Sequence, residues 1–347
     1  MKDPDRVVIR QSVTFSVDVV IPVYNSPVLT KRCIESVLTH LKESIQQICI
    51  QDDASHVETR TLLDECIDAK IHVHHAEKNQ GYGRSVNDAV ARCEADLVLV
   101  LNSDTEIREN FLPKLCHALQ EDDKLAIISP IHDAFFRHEA SRYQRQIGGY
   151  ITTYRFQGYG FLVRRKLFLA LGGFDQQFGR GYYEDTDLGR RLIAQGWRLG
   201  VHPDCYLHHE GGASFGRGKE YRALVARNRA LYFSRYPDAQ RNILMISARH
   251  TLDNLSSELK DNLDKVMQQG GSVYWVTSSP LAQLSCLQMH AIALKLTEVI
   301  RLMLKGRSRL DKRISAFWIL PGVSLIWRIL LIGWARLNHL EVKNWPG

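Results

Sequence analysis

The chain has 347 residues, enough for about two domains or for one larger domain with an appendage. Its 45% hydrophobic and 24% charged residues are those of an ordinary folded protein, which excludes a disordered or fibrous chain. A net charge of +7 fits an anionic ligand, membrane headgroups or simply a solvated surface, and no basic cluster interleaved with aromatics in the first half invites nucleic acid.

The seven cysteines are scattered and none pairs as C-x-x-C. The start, MKDPDRVVIR, has no apolar core of signal-peptide length. A reducing, cytosolic compartment is the expectation.

Val17 to Val23 reads as a β-branched strand that stops at Tyr24-Asn25. Ser26 and Pro27 then suit an N-cap and first position of a helix. Leu29, Cys33, Val37 and Leu41 give that helix one apolar face. A second strand, Ile45 to Ile50, runs into Asp52-Asp53-Ala54-Ser55. A helix from Glu58 to Ala69 and a strand from Ile71 to His74 follow. The glycines of Asn79-Gln80-Gly81-Tyr82-Gly83-Arg84-Ser85 allow a tight turn before the helix Val86 to Cys93.

Leu97 to Leu101 is five apolar residues in a row, as in a strand buried on both faces. It stops at Asn102-Ser103-Asp104. The strand-helix alternation predicts a right-handed βαβ wind and a mostly parallel sheet. Three polar strand ends then share one edge, where ligands of open α/β sheets bind. A carboxylate there can hold a hard divalent cation, and the cation a diphosphate. Asn-Ser-Asp also serves as plain turn chemistry.

A helix Arg108 to Gln120 and a strand Leu125 to Ser129 extend the sheet. Ile131 to Arg145 reads as a loop or lid. Gly158 to Val163 reads as a short strand whose glycines permit close approach of a ligand. Gly172-Gly173-Phe174-Asp175 closes the preceding helix. Glu184-Asp185-Thr186-Asp187 opens another, where the helix dipole alone would favour acids. His208 and His209 precede a glycine pair and suit a metal ligand with its partner, or a surface position.

Together VVIPVYN, QDDAS, NQGYGRSVN, LVLVLNSDTEI, GYGFLVRRKLFLALGGFD, YYEDTDLGRRLIAQGW and HHEGGAS resemble the inverting family 2 glycosyltransferases, whose catalytic domain has the GT-A fold. The likeness runs from about Ser16 to Tyr236. It implies a Rossmann-like, mostly parallel sheet flanked by helices, with a helical C-terminal extension. It implies that Pro22, Tyr24, Asn25, Asp52, Asp53, Gly81, Arg84, Asn102 and Ser103 surround a nucleotide-sugar. Asp104 would be the metal-binding acid of the D-x-D signature, and His209 would complete a site for Mg²⁺ or Mn²⁺. Asp185 would be the general base, with Glu184 beside it.

Asn102 stands where the signature has its first acid, as in members similar to polysaccharide-building and rhamnosyltransferase-like enzymes. It brings no charge, so the metal should bind weakly without the donor. The implied activity is transfer of a hexosyl or deoxyhexosyl group to a hydroxyl of a glycan or lipid-linked acceptor, in cell-envelope polysaccharide synthesis. The alternatives are nucleotidyl transfer, for which a Gly-rich loop after the first strand is missing, and a non-catalytic glycan-binding scaffold, against which Asp104 and Asp185 both stand.

The likeness fades at about Arg241. Residues 1–240 are expected as the catalytic domain and 241–304 as a small α/β or helical extension. In 305–347, Lys305, Arg307, Arg309, Lys312 and Arg313 precede the apolar, Trp-rich run Ala316 to Trp334. Pro321-Gly322 and Arg328 interrupt the run, which reads as an interfacial helix or shallow hairpin at the inner face of the cytoplasmic membrane, or as a helix packed on the domain.

Overall fold

The computed structural model describes residues 15–132, 139–211, 218–278, 283–308 and 313–346. Gly212 to Ser214 of the histidine motif, part of the expected lid (133–138), Arg309 and Lys312 lie outside these residues, as do the side chains of Lys305 and Arg307.

Strands β1 (Val17–Val23), β2 (Ile48–Asp52), β3 (Ile71–His75) and β4 (Leu97–Leu101) alternate with helices α1 (Pro27–Leu41), α2 (Val57–Asp64) and α3 (Tyr82–Arg92). They form the parallel half of a sheet, in the order β3-β2-β1-β4. β1, β2 and β4 are buried along their whole length, hence their mostly apolar sequences, unbroken in β4. β3 is the edge, and its exposed positions are histidines. Ser26 does not cap α1. It sits in the left-handed region at φ 58 and makes no side-chain cap.

The second half is mixed. Its elements are β5 (Thr105–Ile107), α4 (Leu112–Glu121), β6 (Leu125–Ile131), β7 (Ile151–Thr153), β8 (Gly160–Arg164), α5 (Arg165–Ala170), α6 (Glu184–Ala194), β9 (Arg198–His209) and α7 (Lys219–Arg235). β8 inserts antiparallel between β4 and β6. β9 runs parallel to β6, and its far end pairs antiparallel with β5.

Residues beyond α7 form a second sheet. It comprises β10 (Asn242–Ser247), α8 (Ser257–Gln268), β11 (Val273–Thr277), β12 (Met289–Ala293), α9 (Leu296–Ser308), β13 (Ile314–Ile319), α10 (Leu325–Asn338) and β14 (Glu341–Asn344). The order is β12-β11-β10-β13-β14 and every pairing is parallel. That is a doubly wound unit with crossover between β10 and β13. The expected break at residue 305 is therefore corrected, because β13 lies beside β10 in the middle of one sheet.

The apolar run from Ala316 splits accordingly. Ala316, Phe317, Trp318 and Ile319 are buried on both sheet faces. Pro321-Gly322 makes the turn into α10, with Gly322 at φ 74. Arg328 does not face lipid. Its guanidinium donates to the carbonyls of Leu320 and Val323, each at 3.1 Å, and so ties α10 to that turn.

The two units share packing. Tyr143 bridges Leu284, the Tyr154 amide donates to Gln288 Oε1 at 2.8 Å, and Arg155 donates to the Gly270 carbonyl. Ile151 joins Trp275 and Leu284 in one apolar cluster.

Candidate active site

A cavity of about 760 Å³ opens where β1 and β4 end. At the end of β4 the Asn102 carbonyl accepts from the Thr105 amide at 3.1 Å and the Thr105 hydroxyl at 2.7 Å. This turn returns the chain as β5. Pairing of β5 with β9 places Thr105 opposite His209. Asp104 Oδ1 thereby lies 3.2 Å from His209 Nε2. The Tyr159 ring stacks on His209 at 4.8 Å, and the Tyr159 carbonyl accepts the Asn102 amide at 2.9 Å. Asn102 Oδ1 is buried with no hydrogen-bond partner.

The opposite wall is the start of α6. Tyr182 and Tyr183 adopt φ of 73 and 75, unusual for bulky residues, and turn the chain sharply into Glu184 and Asp185. Glu184 is buried and its Oε2 is unpartnered. Burial, reinforced by the adjacent Asp185 charge, pushes the Glu184 carboxyl up to about 8. Burial also raises Asp185, against hydrogen bonds from Thr186. Gly158 permits this placement, because a Cβ there would lie 2.8 Å from Asp185 Oδ2. The Tyr82 hydroxyl donates to the Gly158 carbonyl at 2.8 Å and holds that strand end in place.

The third wall is the loop before α3. Asp53 accepts from the Gln80 amide at 2.7 Å and the Gly81 amide at 2.9 Å. Burial raises its carboxyl despite these bonds. Gly81 has φ +90, and a Cβ there would sit 2.6 Å from the Gly179 carbonyl oxygen. Only glycine lets the two loops close on each other here.

Of the expected residues, Pro22, Tyr24, Asp53, Gly81, Asn102, Ser103, Asp104, Glu184, Asp185 and His209 line the cavity. Asn25, Asp52 and Arg84 do not. Asn25 Oδ1 accepts the His56 amide at 2.8 Å, tying the ends of β1 and β2 together. Asp52 is fully buried, with Ser55 on one oxygen and His75 on the other at 2.8 Å. Arg84 faces solvent and lies 3.9 Å from Asp88. Asp187, the third acid of α6, is buried against Arg191 at 2.8 Å and Tyr236 at 3.0 Å, a structural anchor.

The sequence reading missed Arg180, Tyr182, Tyr183, Glu220 and Tyr221, which also line the cavity. It missed Asn228 too, whose amide holds the Tyr182 turn from α7. The aromatic doublet before Glu184 was the available signal for the tyrosines; a lone Asn inside a helix gives none.

Residues 18–178 match the family model described as glycosyl transferase family 2. Residues 18–178 therefore carry the family 2 glycosyltransferase domain. The chain is 25% identical over 114 residues to the glycosyltransferase GlyG of Streptococcus pneumoniae, covering 32% of this chain and 38% of that one. It is 26% identical over 237 residues to the pre-mycofactocin glycosyltransferase of Mycobacterium tuberculosis, covering 64% of this chain and 48% of that one. It thus spans half or less of the length of these curated relatives. Among solved structures, the mannosyltransferase PcManGT of Pyrobaculum calidifontis, in complex with GDP-Man and Mn²⁺, aligns over 64% of both chains with a TM-score of 0.50 and 18% identity. The glycosyltransferase domain therefore has the GT-A fold.

No group of three or more acidic, His or Cys side chains gathers to hold a metal among the described residues. Asp104 and His209, 3.2 Å apart, would supply two donors, one carboxylate and one imidazole. That set fits a hard divalent ion that takes further oxygens from a ligand.

Proposed function

We propose that the protein transfers a sugar from a nucleotide-diphosphate-sugar to a hydroxyl of a glycan or lipid-linked acceptor, with inversion at the anomeric carbon. One observation carries this reading. Asp104 with His209, and Asp185 with Glu184, come from distant parts of the chain and face one cavity. A polar site for a diphosphate and a buried carboxylate across from it are what inverting transfer needs.

Asp185 takes the proton from the acceptor hydroxyl as its oxygen attacks the anomeric carbon. Its raised carboxyl makes it a better proton acceptor than an exposed aspartate once ionised. Burial raises both carboxyls of the pair and Glu184 strongly, which favours a single negative charge shared by the pair and carried by Asp185. Asp53 and Gly81 shape the wall for the nucleotide, and Arg180 brings a cation to it. Asp104 and His209 would hold Mg²⁺ or Mn²⁺, which when bound stabilises charge on the departing diphosphate.

The test is hydrolysis over a panel of nucleotide-sugars, followed by Asp185→Asn. This variant should bind the selected donor with unchanged affinity and lose at least about a hundredfold in transfer. If donor binding is lost instead, the base has been misassigned.

A further inference from the structure

The C-terminal unit presents an apolar surface that its own core does not use. Val299, Leu302 and Met303 of α9 and Leu331 and Ala335 of α10 pack with Leu244, Ile246, Phe317 and Ile319. Both helices thus cover the sheet face opposite α8, and their outer sides point the same way. On α10 those outer sides carry Leu325 at 70%, Ile326 at 70%, Ile329 at 61% and Leu337 at 81% exposure, with Leu330 beside them. On α9 they carry Leu296, Ile300 and Leu304, each about half exposed. Large aliphatic side chains grouped in this way mark an interaction surface.

The charges on this face choose the occupant. α10 contains no acidic residue and carries Arg336, which is exposed. α9 adds the exposed Arg301, 3.5 Å from Glu298, and Arg313 is exposed at the start of β13. Trp327 and Trp334 lie half-buried on α10, one heptad apart, at the flank of the stripe. An aliphatic stripe flanked by Trp and Arg is the pattern of a helix lying in a lipid headgroup layer. A second copy fits less well, because the exposed arginines of this face outnumber its acids, so a self-complementary pairing would leave them short of opposite charges. Among the described residues no helix is long and apolar enough to cross a membrane. We propose that α9 and α10 together form a docking face for an anionic lipid surface, onto which the protein settles without spanning it.

This moves the membrane contact expected from the sequence. The first four residues of the run, Ala316 to Ile319, belong to a buried strand, and α9, which lies before that run, supplies part of the face. As the place where a lipid-linked acceptor is met, the surface rests on the transfer reading above. As a lipid-binding face it stands by itself.

The test is sedimentation of the full chain with vesicles of phosphatidylglycerol and phosphatidylcholine, and of phosphatidylcholine alone. The wild type should bind the anionic vesicles. The triple variant Leu325→Gln, Ile329→Gln, Leu337→Gln should bind at least tenfold more weakly, since burying one such side chain alone shifts a partition roughly tenfold. Its melting temperature and donor hydrolysis should be unchanged, because all three positions face outward. Arg301→Gln with Arg336→Gln should remove the preference for anionic vesicles. Equal binding by wild type and triple variant overturns the proposal. So does a wild type that ignores both vesicles, including one that dimerises in lipid-free solution through the same three side chains. If vesicle binding behaves as expected while no donor is hydrolysed, the docking face stands and the transfer reading falls.

Discussion

Asn228 offers a sharp test of how the catalytic wall is built. It is fully buried on α7. Its Nδ2 donates to the carbonyls of Phe178 at 2.6 Å, Gly181 at 2.7 Å and Tyr182 at 3.1 Å. Its Oδ1 accepts from Arg227 at 2.8 Å. Those carbonyls belong to the turn that runs through two left-handed tyrosines into Glu184 and Asp185. Such backbone costs on the order of 1–3 kcal/mol per residue, so it needs anchors from outside. Asn228→Ala removes both amide protons from buried carbonyls. At about 1–3 kcal/mol for each group left unmet, and allowing for relaxation, the loss should be roughly 2–4 kcal/mol. Asn228→Asp keeps the shape but turns a carboxylate toward three carbonyl oxygens. It should cost more than Ala at neutral pH and regain part of the loss when acidified. Urea unfolding measures the stability, and donor hydrolysis measures turnover. Both variants should lower kcat, because the turn leads into Asp185, and should also raise KM, because the same turn carries Arg180 at the wall proposed for the nucleotide. An Asp variant as stable as the Ala variant would refute the reasoning.

Asp104→Ala should cut turnover by about a hundredfold or more, the order seen when a group stabilising transition-state charge is removed, with full activity in excess chelator counting against any metal role. The Glu184 carboxyl is raised from 4.5 to about 8 in the folded protein, so the folded state holds that proton more tightly than the unfolded chain. Its contribution to stability is therefore complete below about 4.5 and disappears as pH rises through about 8. Urea midpoints should fall across that window in the wild type, and Glu184→Gln should flatten the fall; a slope equal in the two proteins would count against a neutral Glu184. Gly158→Ala places a Cβ 2.8 Å from Asp185 Oδ2. Turnover should drop at least tenfold with little change in melting temperature, and wild-type kcat would show that Asp185 can act from another position.

The parallel half of the sheet was readable because three of its four strands, β1, β2 and β4, are buried on both faces and say so in composition. The mixed half was not. β8 has an apolar middle like that of β4, and nothing local states that it enters the sheet in the opposite direction. The closeness of His209 to Asp104 depends on the β5 and β9 register, a pairing across about a hundred residues. Which of two adjacent acids faces the cavity was open to alternation alone. Asp52 is the last residue of β2 and turns toward His75, so Asp53 points the other way. The C-terminal run misled for a physical reason. A strand buried on both faces, a proline-glycine turn and a helix with an outward apolar stripe have together the composition of one interfacial segment. Arg328, the charge within that run, is satisfied by carbonyls that the fold itself supplies.

The charges around the cavity also bear on the neutral Asn102. Asp104 and Asp185 already face the same space, and burial disfavours the charged form of Asp185 and of Glu184. A third acid at position 102 would add repulsion toward a diphosphate without any cation of its own. With Asn there, the protein contributes one carboxylate and one imidazole, too few to retain a hard divalent ion tightly. The diphosphate would complete the ion's shell, and the ion would offset the repulsion between diphosphate and carboxylates. Each should therefore raise the affinity of the other by the same factor, as linkage requires. On the proposed transfer reading, Asn102 would exchange a standing metal site for one that forms with the donor, which would place the cost of assembling the site on donor binding and not on the empty cavity.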